Sequence, residues 1–120
     1  MFNKITRVLP SLALLAILFS SCSQSILDKQ IQFGIQSAQR GLWDEAIFRW
    51  KKAVLSDPKA SAPHNNLAIA YERKGLWQEA KKEYEIALKL DPKNSYIQDN
   101  YEKFKNNHEL IDDAKKDKKK

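Results

Sequence analysis

The chain has 120 residues, which is room for one domain with a small core. Hydrophobic residues are 42% and charged residues 30%, with 3 Gly and 4 Pro, a balance that favours helical globular structure over disorder or an all-β design. The formal charge of +6 does not mark a nucleic-acid binder, because it sits at the two ends: Lys4 and Arg7 near the start, and Lys115, Lys116, Lys118, Lys119 and Lys120 at the finish. Between Cys22 and Ala114 there are 14 Lys or Arg and 14 Asp or Glu, so the body is neutral and offers no footprint for a phosphate backbone.

The first element in chain order is a short export segment. Met1 to Arg7 is basic without an acid, and Leu12-Ala13-Leu14-Leu15-Ala16-Ile17-Leu18-Phe19 follows as an apolar run. From Val8 to Phe19 the stretch falls short of the roughly 20 residues of a spanning helix. Cys22 is the one cysteine, so no intramolecular disulfide and no cysteine-based zinc site can form, and its role must come from its position. Phe19-Ser20-Ser21-Cys22 resembles the lipobox of bacterial lipoproteins, with Phe19 where Leu is usual. The resemblance implies that residues 1–21 are a signal peptide and that Cys22 is acylated as the new N-terminus. It further implies that residues 22–26 are a short tether and that the protein is held in the bacterial envelope, at an outer membrane facing the periplasm. Several acyl chains hold a protein on a bilayer where a single chain binds only marginally. The alternative is an ordinary secretory signal, cut where Ser21 and Ser23 supply the small residues, with Cys22 incidental.

Beyond this segment the chain repeats itself. Shifting residues 27–60 by 34 lays Gly41-Leu42-Trp43 on Gly75-Leu76-Trp77, Glu45-Ala46 on Glu79-Ala80, Ala53 on Ala87, and Asp57-Pro58-Lys59 on Asp91-Pro92-Lys93. In the second copy Leu67, Ala68, Ala70 and Tyr71 make an apolar face at helical spacing, and Ser61 is the expected N-cap. Gly75 ends that helix; Trp77 opens the next, whose inner stripe is Ala80, Tyr84, Ala87 and Leu88 until Asp91-Pro92 stops it. Ala68 opposite Ala80 and Ala87 permits close helix approach, while Tyr71, Trp77 and Tyr84 supply buried area.

This pattern resembles the tetratricopeptide repeat, a 34-residue helix–turn–helix unit. Leu67, Ala68, Tyr71, Gly75, Ala80, Tyr84, Ala87 and Pro92 fall on its signature places in the second copy, and Gly34, Gly41, Ala46, Trp50, Ala53 and Pro58 do so in the first. His64 stands where an early aromatic is usual, and Gln30 and Ser37 are departures in the first copy. The expected fold is all-α, a short helical-hairpin solenoid of repeats at 27–60 and 61–94. A capping helix over 95–111 carries Tyr96, Ile97, Tyr101 and Phe104 on one side, and residues 112–120 form a Lys-rich disordered tail.

No catalytic set is visible. His64 and His108 are 44 residues apart, and there is no nucleophile–base pair, HExxH or glycine-rich phosphate loop. Glu79, Glu83 and Glu85 alternate with Lys81 and Lys82 as a solvated face, and the aromatic residues follow the repeat and read as core. The chain is therefore expected to be a binding scaffold with no cofactor beyond the lipid on Cys22, acting as an adaptor in assembly of a larger complex.

What the resemblance implies for binding is a concave groove lined by the first helix of each hairpin. By register that groove holds Ile31 and Ile35 from the first copy and Asn65, Ile69, Glu72 and Arg73 from the second, with Ile97 and Tyr101 added by the capping helix. The isoleucines either form an apolar binding row or pack as core. Expected partners are proteins and the bilayer; self-association through exposed stack ends is the alternative, since arrays normally need three repeats. Isoleucine at groove places is unlike the Lys, Arg and Asn set that grips chaperone C-terminal carboxylates. The Lys-rich tail is either a solubilising end or an adhesive for an anionic lipid surface or cell-wall polymer.

Overall fold

A computed structural model describes the backbone from Leu9 to Asp117 and the side chains of residues 24 to 108. The described residues form five α-helices and no strand: α1 (Leu9–Gln39), α2 (Trp43–Ser56), α3 (Ser61–Arg73), α4 (Trp77–Leu90) and α5 (Ser95–Asp117). Residues 1–8, the side chain of Cys22, the expected lipidation site, and residues 118–120 lie outside that description.

Two boundaries differ from expectation. Residues 22–26, expected as a tether, are helical, since α1 runs unbroken from Leu9 to Gln39 with no Gly or Pro between Ser11 and Phe33 to stop it. At the other end α5 runs to Asp117 rather than 111, through a stretch free of helix breakers.

The hairpin turns follow from one glycine each. Gly41 and Gly75 have φ of 75° and 72°, the left-handed region an L side chain avoids. Gly41 N–H bonds the Ala38 carbonyl at 2.9 Å and Leu42 N–H the Ser37 carbonyl at 2.9 Å; Gly75 and Leu76 repeat this on Glu72 and Tyr71 at 3.0 and 2.9 Å. This is the Schellman closure of a helix end. The same leucine starts the next helix, its carbonyl accepting from Ala46 or Ala80 at 3.0 Å. Ala60, with no side-chain cap, takes the N-cap place expected of Ser61. Only α5 has a side-chain cap among the described helix starts: Asn94 Oδ1 accepts from Ile97 N–H at 3.3 Å.

Each helix packs on its neighbours in order, α1 with α2, α2 with α3, α3 with α4 and α4 with α5. Ala46, Ala53, Ala68, Ala70, Ala80 and Ala87 are fully buried, which lets the helices approach closely enough for a large ring at each hairpin centre. In the second hairpin that ring is Tyr84, packed with Ala68, Ala80 and Phe104. In the first it is Trp50, packed with Ala46, Ile47, Leu67 and Ala70. Leu67 thus serves the junction between hairpins, while Ala68 faces Tyr84 inside its own.

The indole of Trp50 lies on Gly34, where an added Cβ would meet Nε1, Cδ1 and Cε2 at 2.2 to 2.6 Å, and the same Nε1–H donates to the Ile31 carbonyl at 3.3 Å. The second hairpin has Ala68 in that place against the smaller ring of Tyr84. Gly34→Ala is expected to destabilise the fold by about 1–3 kcal/mol through overpacking, although alanine is the better helix former by about 1 kcal/mol. Thermal melting checks this, and Trp50→Phe in the same chain should recover part of the loss.

Candidate functional site: a groove along the first helices of the hairpins

The outer surface of α1 and α3 carries two adjoining cavities. Ile35, Ala38, Trp43, Trp50 and Ile69 make most of the wall of the first, a cavity of 260 Å³ also touched by Gln39 and Asn66. The second, of 770 Å³, is lined by Ile69, Glu72, Arg73, Trp77, Tyr84, Asn100, Lys103 and Asn107. Ile69 belongs to both and is half-buried, with its inner side against the Ala68–Tyr84–Phe104 cluster. The groove therefore passes from an apolar end, walled by α1, α2 and α3, to a polar end walled by α3, α4 and α5.

Of the expected groove residues, Ile35, Ile69, Glu72 and Arg73 line these cavities. Three others do not line this groove. Asn65 is 2% exposed, and its Oδ1 accepts from Asn100 Nδ2 at 3.1 Å, so it ties α3 to α5. Ile97 is 2% exposed. Tyr101 is half-buried, stacked on Phe104 with 6.2 Å between centroids and tilted against Tyr84 at 5.7 Å. Register explains the correction: Ile97 and Tyr101 lie 34 residues after Pro63 and Leu67, which are themselves buried inward positions. The same shift from Ile69 and Arg73 gives Lys103 and Asn107, the groove residues that apolar periodicity on α5 passes over. Ile31 is half-buried and lines neither cavity.

Hydrogen bonds and rings fix the walls. Tyr84 O–H donates to Glu72 Oε2 at 3.1 Å, holding that carboxylate at the polar end. Burial first, and the neighbouring Glu72 carboxylate second, push the Tyr84 phenol far above its ordinary range. Tyr101 is also raised, by burial and then by its bond to Glu85. The Arg73 guanidinium lies 5.9 Å from the Trp43 ring centroid, placing a cation at the rim of the apolar cavity. Behind the groove His64 Nδ1 meets Glu83 Oε2 at 2.6 Å, an α3–α4 tie.

A third cavity, of 260 Å³, opens between α4 and α5 beside Trp77, Lys81, Tyr101, Phe104, Lys105 and His108. One repeat earlier the same positions are Trp43, Ile47, Leu67, Ala70, Tyr71 and Lys74, and the first five fill the junction as core. Lys81 and Lys105 in place of Ile47 and Tyr71 leave the later junction hollow. Among the described residues no group of three His, Cys, Asp or Glu could hold a metal ion.

Residues 61–94 match the tetratricopeptide repeat family. The chain has the fold of a short tetratricopeptide solenoid. The second tetratricopeptide domain of Spaghetti (RPAP3), solved bound to the HSP90 peptide SRMEEVD, matches with a TM-score of 0.67 and 20% identity over 82% of this chain and 94% of that one. The C-terminal tetratricopeptide-containing domain of a Plasmodium falciparum FK506-binding protein matches with a TM-score of 0.66 and 21% identity over 87% of this chain and 65% of that one. No curated protein matches the chain. The groove just described lies on the first helices of this solenoid.

The raised Tyr84 phenol gives a pH test of the polar end. Its folded pKa lies above its unfolded value of 10.0, so its contribution is complete below that pH and is lost as the pH rises above it. Tyr84→Phe should cost about 1 kcal/mol at neutral pH, for the bond to Glu72, and should flatten the alkaline loss of stability. Urea midpoints on both sides of pH 10 check it; an equally steep alkaline loss in the variant would contradict this assignment.

Proposed function

We propose that the protein is an envelope-anchored tetratricopeptide adaptor whose groove takes a segment of a partner protein, with the lipid on Cys22 as its membrane tether and no cofactor. The observation that carries the groove is the shared cavity of Ile35 and Ile69, the ninth residues of the two repeats, with Trp43 and Trp50 behind them. An apolar side chain of the partner enters there, and its polar or acidic continuation meets Arg73, Lys103 and Asn107. The RPAP3 domain was solved with a peptide, which agrees in kind with a groove that is apolar at one end and at the other carries Arg73 and Lys103 beside Glu72.

The anchor reading is compatible with an unbroken α1. Among the described side chains the packing of α1 on the hairpin begins at Leu27, which is 5% exposed, while Gln24, Ser25 and Ile26 are exposed. A cut before Cys22 leaves in place Leu27, the first described side chain of α1 in that core. Among the described residues no helix is long and apolar enough to cross a membrane. In this reading several acyl chains on Cys22 supply the attachment.

Two experiments test the two halves. A photoreactive residue at position 35 or 69 should give the same protein adduct in intact cells, and one at the exposed Lys82 should not; adducts independent of position count against the groove. Cys22→Ala should move the protein from the detergent phase to the aqueous phase, and an unmodified N-terminus at Gln24 in the native protein would establish plain secretion instead.

A further inference from the structure

The outer side of α2 carries two apolar side chains that its place in the solenoid does not account for. Phe48 is 48% exposed and Leu55 81% exposed, two helical turns apart on α2. One repeat later the same positions are Lys82 and Lys89, both exposed. The fold thus leaves these two positions in solvent, and the first hairpin puts Phe and Leu where the second puts cations.

Ile26 and Phe33, seven residues apart on α1, are 47% and 48% exposed. The helices of the hairpin are antiparallel, so Phe33 stands near Phe48 while Ile26 and Leu55 lie at the opposite end, from which the upstream part of α1 departs. Arg49 confirms the first pairing: its guanidinium is 5.5 Å from the Phe33 centroid and 5.8 Å from that of Phe48. The Lys52 ammonium stands 4.5 Å over Phe48, and Lys29 lies on α1 between Ile26 and Phe33, exposed. The acids at this face are Glu45, bonded to Arg49 at 2.6 Å, and the exposed Asp44, one turn before Phe48 and paired with Lys74.

We propose that this face rests on an anionic bilayer surface, with Phe33, Phe48 and Leu55 among the headgroups and acyl boundary and Lys29, Arg49 and Lys52 toward lipid phosphates. The proposal rests on the anchor reading above, which ties the chain to lipid just upstream of Ile26. Two copies meeting through this face would oppose Lys29, Arg49 and Lys52 with themselves; an anionic surface receives both the rings and the cations. The consequence is orientational. One face of the first hairpin lies on the membrane, and the groove is presented at a fixed attitude to it.

The test uses the mature full-length chain on phosphatidylglycerol/phosphatidylethanolamine vesicles, labelled with a water-soluble amine reagent. Lys52 should react about fivefold more slowly relative to Lys82 than it does in the Phe48→Gln/Leu55→Gln chain, the factor that corresponds to the ~1 kcal/mol a lysine gains at an anionic surface. That variant should still float with the vesicles, which separates the face from the anchor. Equal Lys52 to Lys82 ratios in the two floating chains overturn the proposal. So does protection of Lys52 without vesicles that grows with protein concentration, which assigns the face to self-association. A mature chain that fails to float overturns the anchor and the face with it.

Discussion

The solenoid depends on how closely the two helices of each hairpin can approach around one ring. Gly34 under Trp50 and Ala68 under Tyr84 are two solutions of the same steric equation: the larger ring takes the smaller residue beneath it. Ala46 and Ala80, each fully buried, hold the second helix at the matching distance. Because Trp50 also packs on Leu67 and Ala70, and Tyr84 on Phe104, each ring joins its hairpin to the next helix as well. The spacing inside a hairpin and the angle between hairpins are thus set by the same side chains. The groove inherits its shape from them, since Trp50 and Tyr84 form its floor.

Much of this arrangement was legible in the sequence because the repeat encodes it twice. Gly41 and Gly75, the Trp at each second-helix start, and the buried pairs Ala46/Ala80 and Ala53/Ala87 all stand at the places that a 34-residue shift assigns. What escaped is what the repeat does not encode twice. On α5, apolar spacing alone put Ile97 and Tyr101 on the open side, whereas carrying the register one unit further turns both inward and brings out Lys103 and Asn107. Asn65 looked like a surface amide because its partner, Asn100, lies 35 residues away on another helix. The length of α1 lies outside the repeat, and it follows from a backbone that nothing interrupts between the apolar segment and the first hairpin.

The two junctions show how far similar folding leaves chemistry free to diverge. Both bring a tryptophan from a second helix against the following first helix, yet one is closed by Ile47 and Tyr71 and the other is left open by Lys81 and Lys105. A lysine can lay its stem along such a wall and keep its ammonium in water, so the exchange removes packing without burying a charge. The small contacts that remain, Tyr101 on Phe104 and Trp77 against Phe104 and His108, are aromatic. Aromatic contact area is what can hold a final helix whose outer side is polar.

The same exchange, run in the opposite direction, separates the two outer surfaces of the molecule. At Phe48 and Leu55 the first hairpin places apolar side chains where Lys82 and Lys89 show that the fold tolerates charge, so their presence adds nothing that the second hairpin needs for stability. Ile35 and Ile69 are a different case, conserved between the repeats of this one chain and half-buried, so each contributes to the fold and to the cavity together. A substitution in the groove therefore perturbs binding and stability at once, while one on the Phe48–Leu55 face is free of the core. That difference makes the outer face of the first hairpin the surface where an interaction can be removed with the solenoid left intact, and it follows from burial alone.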